Sequence, residues 1–486
     1  MRIHILLASA AALTLAACGT SNNADNNQSS AQSFDASQVS DKDLEKQVTA
    51  ALAEAPKHGL TKDLFLKGDL PSDQSSRRQA LVGALADYAS ALANGKVDPK
   101  KVRDVYTVPR NKVDIRQGLT QALQQNKLQP YLDSLAPQTD EYRALSDAFV
   151  QLVKRAPGLP DTTIADGKTL KPGQSDPRVA TIVANLKAQG YVQAVGDTKQ
   201  PTAPTTHYSG AVVTAVKQWQ ADSGLKPDGV IGPDTIKALN ASPRDRARQI
   251  AVAMERLRWL DRSPPATRID VNTAATFLDY FRDGQAIDHR KVIAGEQGKE
   301  TPQLGAPIYQ LVANPTWTVP HSIDEEMADK SQAWLAANGF TQKDGQWVQA
   351  SGDKNSLGIV KFDMKDDQAI YLHDTPAKAL FGQDERHRSH GCVRVEDAMG
   401  FAHMLAQADG IDDKFSEAMA TGKETFVKLN HEIPVRLMYH TAYLGTAGRL
   451  HFAADVYGWD NDVAPALGYP SMGPSGVKTK STDVGP

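Results

Sequence analysis

The chain has 486 residues, which at roughly 100–200 residues per domain is enough for several domains. Hydrophobic residues make up 41% and charged residues 23%, so a collagen, a coiled coil and a wholly disordered chain are excluded. A net charge of -3 supplies no basic field, and no nucleic-acid partner is expected. There are 2 cysteines, Cys18 and Cys392, and their positions say more than the rest of the composition.

Arg2 followed by an apolar run from Ile5 to Ala17 has the anatomy of an export signal, which assigns residues 1–17 to a signal peptide. The run ends in Leu15-Ala16-Ala17-Cys18 with Gly19 behind it. This tetrapeptide resembles a bacterial lipobox. The resemblance implies cleavage before Cys18, a diacylglyceryl group on its sulfur, and a lipoprotein anchored to the outer membrane and facing the periplasm. An ordinary secretory signal with an incidental cysteine is the alternative. Residues 18–45 are rich in Ser, Asn, Gln and Asp and read as a flexible tether. Export places the chain where paired cysteines oxidise. A lipidated Cys18 leaves Cys392 as a lone thiol, either inert or kept for its reactivity.

Residues 46–170 read as a helical scaffold. Leu81, Leu85, Tyr88 and Leu92 form one helical stripe, and Leu145, Ala148, Phe149 and Leu152 another. Residues 176–240 form a three-helix pattern. Val179, Ile182, Val183 and Leu186 line a first helix stopped by Gly190. Val212, Ala215, Val216 and Trp219 line a second that ends at Gly224, and Pro233 opens a short third carrying Ile236 and Leu239. The runs Ala215-Val216-Lys217-Gln218-Trp219-Gln220 and Leu225-Lys226-Pro227-Asp228-Gly229-Val230-Ile231-Gly232 resemble a small peptidoglycan-binding domain. Trp219 lies on the apolar stripe and reads as core rather than as a sugar platform.

Residues 244–465 read as one further domain. A helix from Arg246 to Leu260 gives way to period-two alternation at Ile269, Val271 and Phe277 to Phe281. Asp283-Gly284 marks a tight hairpin. Further strands are expected near Tyr309–Val312, Leu357–Asp363, Ala369–His373, Phe426–Leu429 and Pro434–Tyr439. Residues 322–350 interrupt them, too long for an ordinary loop, and read as a lid. The tail, 466–486, reads as flexible.

The densest chemistry surrounds Cys392. Tyr371-Leu372-His373-Asp374-Thr375-Pro376 ends a strand, and Arg386-His387-Arg388-Ser389-His390-Gly391-Cys392-Val393-Arg394 follows. A thiol attacks a carbonyl as the thiolate, and nearby cations lower its pKa. The arginines and histidines on either side are therefore expected to ionise it. His373 is the candidate base. Gly391 lets the backbone approach closely, and the Cys392 amide could stabilise an oxyanion.

A histidine, a spacer of about fifteen residues and then Ser389-His390-Gly391-Cys392 resemble the L,D-transpeptidase family. The Tyr-Leu-His-Asp-Thr-Pro and Cys-Val-Arg-Val-Glu runs point to its larger branch. That branch implies a multidomain α+β protein with a helical scaffold, a three-helix peptidoglycan-binding-like domain and a β-rich catalytic domain with an inserted lid. The resemblance assigns Cys392 as nucleophile, His373 as general base and acid, Gly391 to the oxyanion hole, and His390 and Ser389 as orienting groups. It places Arg394, Asn355 and Tyr371 at substrate. The activity implied is acyl transfer on peptidoglycan stem peptides. A tetrapeptide stem forms a thioester, D-alanine leaves, and an amine of a second stem completes a 3-3 cross-link. Acylation by carbapenems is implied as well. No cofactor is needed and a monomer is expected. A zinc site from His373, His387, His390 and Cys392 is disfavoured because it lacks a second thiolate. The rivals are hydrolysis by the same site, attachment of stems to another protein, and a wall-binding lipoprotein without turnover.

Overall fold

The computed structural model describes residues 34–155, 163–192, 206–223, 225–445, 448–472 and 485. The expected signal segment, Cys18, most of the tether and Gly224 lie outside the described residues.

Ser40 and Asp73 supply the side-chain caps that start α1 (Asp41–Ala53) and α2 (Gln74–Asn94), each accepting a backbone N–H three residues on. The short helices α3 (Pro99–Val102), α4 (Arg116–Gln124) and α5 (Leu128–Leu135) follow, then α6 (Asp140–Arg155). Leu44, Val48, Leu85, Leu92, Leu119, Leu132 and Leu145 are all fully buried in one core. Each side chain of this kind contributes roughly 1.5–3 kcal/mol on burial.

The tether expectation overruns. Phe34, Ala36 and Val39 are buried in this core and α1 begins inside the segment read as unfolded. Three spaced apolar residues among polar ones suffice once a preformed groove receives them.

The small three-helix unit holds α7 (Arg178–Ala188), α8 (Ala211–Asp222) and α9 (Pro233–Leu239). Trp219 is 1% exposed within its core, and its indole N–H donates to Gln189 Oε1 at 2.9 Å. Ile164 and Leu170 belong to this core too, so the scaffold ends earlier than residue 170.

Helix α10 (Pro243–Trp259), opened by a Ser242–Asp245 capping box, sits in the scaffold core instead of the β-rich domain. Ile250, Met254 and Trp259 pack there. So do Val463, Ala464 and Leu467 from the far end of the chain. Arg258 and Glu255 pair at 2.6 Å with both side chains fully buried, and Glu255 also accepts from Val97 N–H at 2.7 Å. Breaking such a pair leaves a buried charge and costs about 3–5 kcal/mol. The tail expectation is corrected likewise: Leu467 is buried and Pro470 accepts a bond from Arg248. Residues 473–484 lie outside the described residues.

The β-rich part starts with β1 (Arg268–Asn272), β2 (Phe277–Arg282) and β3 (Gln285–Gly295). Asp283 (φ 52°) and Gly284 (φ 81°) make the two-residue turn between β2 and β3, where both positions need positive φ. After β4 (Gly305–Ala313) comes the insertion: β5 (Trp317–Thr318), α11 (Asp324–Ala328), α12 (Gln332–Ala337), β6 (Phe340–Lys343) and β7 (Gln346–Gln349). Its three strands form a sheet of their own over Trp317, Val319, Met327, Leu335 and Phe340. The lid is thus a small folded unit that begins at Trp317, ahead of the expected 322.

The chain returns through β8 (Val360–Met364), β9 (Leu372–His373), β10 (His387–Ser389) and β11 (Val393–Val395). Then come α13 (Ala398–Asp409), α14 (Asp412–Ala420), β12 (Thr425–Met438), β13 (Ala442–Leu444) and β14 (Leu450–Phe452). The two strands expected near 426–439 are one, bent by an irregularity between Lys428 and Ile433. Nine strands run in the order β10-β3-β11-β9-β8-β4-β12-β1-β2, and β2 also pairs with β3, which curls the sheet back on itself. Leu372, Val393 and Val395 point into its core against Phe401 and Leu405 of α13.

Candidate active site

Strands β9 and β11 are parallel neighbours, with Leu372 opposite Val393 and His373 opposite Arg394. Side chains alternate across a strand. Leu372 and Val393 take the core face, so Tyr371, His373, Cys392 and Arg394 share the other face, toward the lid. Tyr371 indeed packs against the lid core. The Tyr371 N–H and hydroxyl are close enough to the Cys392 sulfur to favour its charged form. The Tyr371 ring meets the His373 ring edge-on at 5.7 Å. Nucleophile, tyrosine and imidazole therefore form one row.

The loop before the thiol is tightly held. Gly391 has φ +119°, a conformation that favours glycine. Ser389 Oγ accepts from Gly391 N–H at 3.2 Å and donates to the Cys392 carbonyl. Thr301 Oγ1 donates to the Gly391 carbonyl at 2.8 Å. The Cys392 N–H has no acceptor among the described residues. Asp397 caps α13 by accepting from Gly400 N–H.

The thiol itself differs from the expectation of a resting thiolate. Cys392 is 5% exposed and its S–H points to the Ala369 carbonyl, 3.8 Å away. Ala369 is left-handed at φ 55°, an uncommon state for a residue with a Cβ. Burial pushes the thiol pKa up to about 11, against the pull of the Tyr371 N–H and hydroxyl and of the Lys361 ammonium. The cations counted on in the sequence are engaged elsewhere. Arg386 donates to the carbonyls of Val292, Gln383 and Thr276. His387 sits between Glu385 and the Thr273 carbonyl. His390 Nε2 bonds Glu326 of the lid at 2.9 Å. Burial works against the Glu326 charge, but Lys299 and His390 together hold its carboxyl below the usual range.

Asn355, expected at substrate, is placed otherwise. The Asn355 amide donates to Pro315 and Ala350 carbonyls and its oxygen accepts from Leu357 N–H, so it laces the base of the lid. Arg394 is fully buried opposite His373 on the neighbouring strand, as buried as that histidine itself. Tyr371 touches the nucleophile. Sequence reasoning missed Lys361, which lies opposite His373 on β8 with its ammonium 4.5 Å from the Tyr371 ring centre. It also missed Thr301, Glu326 and Tyr457. None of these stands in a local pattern that marks it.

Residues 266–416 match the family of the L,D-transpeptidase catalytic domain. Residues 37–149 match a scaffold domain family and residues 175–239 a "Putative peptidoglycan binding domain". A protein of Haemophilus influenzae named "Putative L,D-transpeptidase" is 32% identical over 221 residues, which are 40% of this chain and 45% of that one. The matched stretch therefore spans less than half of this relative. Among solved structures, an L,D-transpeptidase from Xylanimonas cellulosilytica is 16% identical, covering 56% of this chain and 98% of its own, at a TM-score of 0.18. One from Stackebrandtia nassauensis is 14% identical, covering 57% and 96%, at 0.22. The Cys392 row and the Thr301 turn fall inside this matched range of 266–416, whereas Tyr457 lies beyond it.

Proposed function

We propose that the chain is a peptidoglycan L,D-transpeptidase in which Cys392 forms a thioester with a tetrapeptide stem, releases D-alanine and passes the acyl group to an amine of a second stem as a 3-3 cross-link. The observation that carries this is the row Cys392–Tyr371–His373 on the lid-facing side of the sheet, next to an amide N–H with no acceptor among the described residues. The resting thiol is protonated, so its proton must move as substrate arrives. His373 takes it, the sulfur attacks, and the same imidazole returns it to the leaving nitrogen. Tyr371 steadies the sulfur. The lid packs on Tyr371 beside the thiol, and excluding water there would favour an amine acceptor.

The three-helix unit brings the transpeptidase domain to the wall polymer, and the scaffold sets their spacing. The N-terminal lipobox supports anchorage at the outer membrane through Cys18, with the folded body in the periplasm as a monomer.

The test is product analysis. Purified protein is incubated with disaccharide-tetrapeptide and the products are weighed by mass spectrometry. A cross-linked dimer lacking one D-alanine supports transfer. Tripeptide alone supports the hydrolytic rival. Identical products from Cys392→Ala would remove the cysteine from the account.

A further inference from the structure

The turn 295–301 lies about ninety residues before the nucleophile in the chain and directly behind it in space. Gly295 faces the turn so closely that a Cβ there would stand 2.1 Å from the Lys299 carbonyl oxygen. At the turn's end Thr301 is fully buried. Its one hydroxyl proton goes to the Gly391 carbonyl at 2.8 Å, and its oxygen accepts from Gly295 N–H at 2.9 Å. Tyr457 closes the circuit: its hydroxyl donates to the Gly295 carbonyl at 2.7 Å and accepts from Thr301 N–H at 3.4 Å. Every donor has one acceptor, so the network has a single direction. Two residues on, the scaffold clamps the same strand, with Thr107 N–H on the Gln303 carbonyl and Thr107 Oγ1 on Gly305 N–H.

The Gly391 carbonyl and the Cys392 N–H are the two ends of one planar peptide unit. Holding the oxygen therefore aims the N–H. We infer that Thr301, backed by Tyr457, is a positioning residue for the oxyanion-binding amide of Cys392. This rests on the acyl-transfer reading above and deepens it. In that step the Cys392 sulfur bonds the stem carbonyl carbon and the carbonyl π pair moves onto oxygen. The oxyanion is held by the Cys392 N–H. On collapse the C–N bond to D-alanine breaks, and its nitrogen leaves with the proton carried by His373. Thr301 touches none of the reacting atoms. Its share is to keep the amide aimed while the backbone at Gly391 is in a conformation glycine leaves soft.

The test compares two reactions of the same sulfur in the full chain. Acylation by a carbapenem passes through an oxyanion, whereas alkylation by iodoacetamide forms an S–C bond with loss of iodide and no oxyanion. Both rates are read by intact-protein mass in wild type, Thr301→Val, Thr301→Ser and Tyr457→Phe. Thr301→Val is expected to slow acylation about 10- to 100-fold, as misaiming a donor does. Alkylation should stay within about twofold. Thr301→Ser keeps the hydroxyl and should restore acylation, and Tyr457→Phe should show a smaller loss in the same direction. The inference is overturned if the two rates fall together, or if acylation is unchanged. Should Thr301→Val not fold by circular dichroism, the ratio of the two rates in Tyr457→Phe decides instead, and an unchanged ratio there overturns it. Wild-type protein that alkylates at Cys392 yet never acylates removes the acyl-transfer reading and this inference with it. Wild-type acylation alongside an unchanged ratio in the variants removes this inference alone.

Discussion

Between Arg386 and His390 the chain gathers four cationic or titratable side chains within six residues of Cys392, while Lys361 and Thr301 stand far upstream. In space the roles reverse. The near neighbours in sequence brace backbone carbonyls and the lid. Of the distant ones, Lys361 pulls the thiol toward its charged form and Thr301 holds its peptide unit. A strand-and-loop site brings together residues by register, and adjacency along the chain only says which loop they share.

His373 offers the largest effect with which to break this comparison. His373→Gln should slow acylation by about 10²–10⁴-fold, the usual share of a general base, measured as the rate of D-alanine release. A loss equal to that of an arginine variant on the flanking run would return the catalytic role to the sequence neighbours.

A control region lies away from the site. His58 and His440 are buried, and burial first, then nearby arginines, pushes both imidazoles down to about 3. In the unfolded chain each protonates near pH 6.5, so between about pH 6.5 and 3 the unfolded state binds more protons and stability falls as pH falls. The slope approaches about 1.4 kcal/mol per pH unit for each histidine. Urea unfolding at a series of pH values checks this, and the slope should shrink in a His58→Gln, His440→Gln double variant.

Arg386→Ala should lower stability by about 1–3 kcal/mol, because the partly buried Val292 and Thr276 carbonyls lose their donor. The alkylation rate of Cys392 in the folded protein should not change. Lys361→Met should do the opposite, sparing stability while slowing alkylation at fixed pH by about two- to fivefold, since it removes the cation that favours the thiolate. If Arg386 and Lys361 exchange these outcomes, sequence adjacency was the better guide after all.

Much of the architecture was legible for definite reasons. Asp283-Gly284 announces its hairpin because only certain residues take positive φ, and the stripe through Val179, Ile182 and Leu186 announces a buried helix face. The His373 and Ser389–Cys392 spacing was legible as a family signature. What was not legible is which core an amphipathic element joins. The apolar face of α10 fits a helical or a mixed core equally, and only the structure assigns it to the scaffold. Nor does residue type reveal that Asn355 spends its amide on the lid base, or that burial outweighs every cation near the thiol. Thr301 was invisible because its partner is set by a tertiary contact between a turn and a loop.

The central claim is that Cys392 carries the acyl group. Intact-protein mass spectrometry after mixing with tetrapeptide stem, followed by peptide mapping, tests it most directly. The account predicts an adduct of the stem less D-alanine on the peptide bearing Cys392, sensitive to hydroxylamine and absent from Cys392→Ala. An adduct elsewhere, or cross-linked product formed at the same rate by Cys392→Ala, would contradict it.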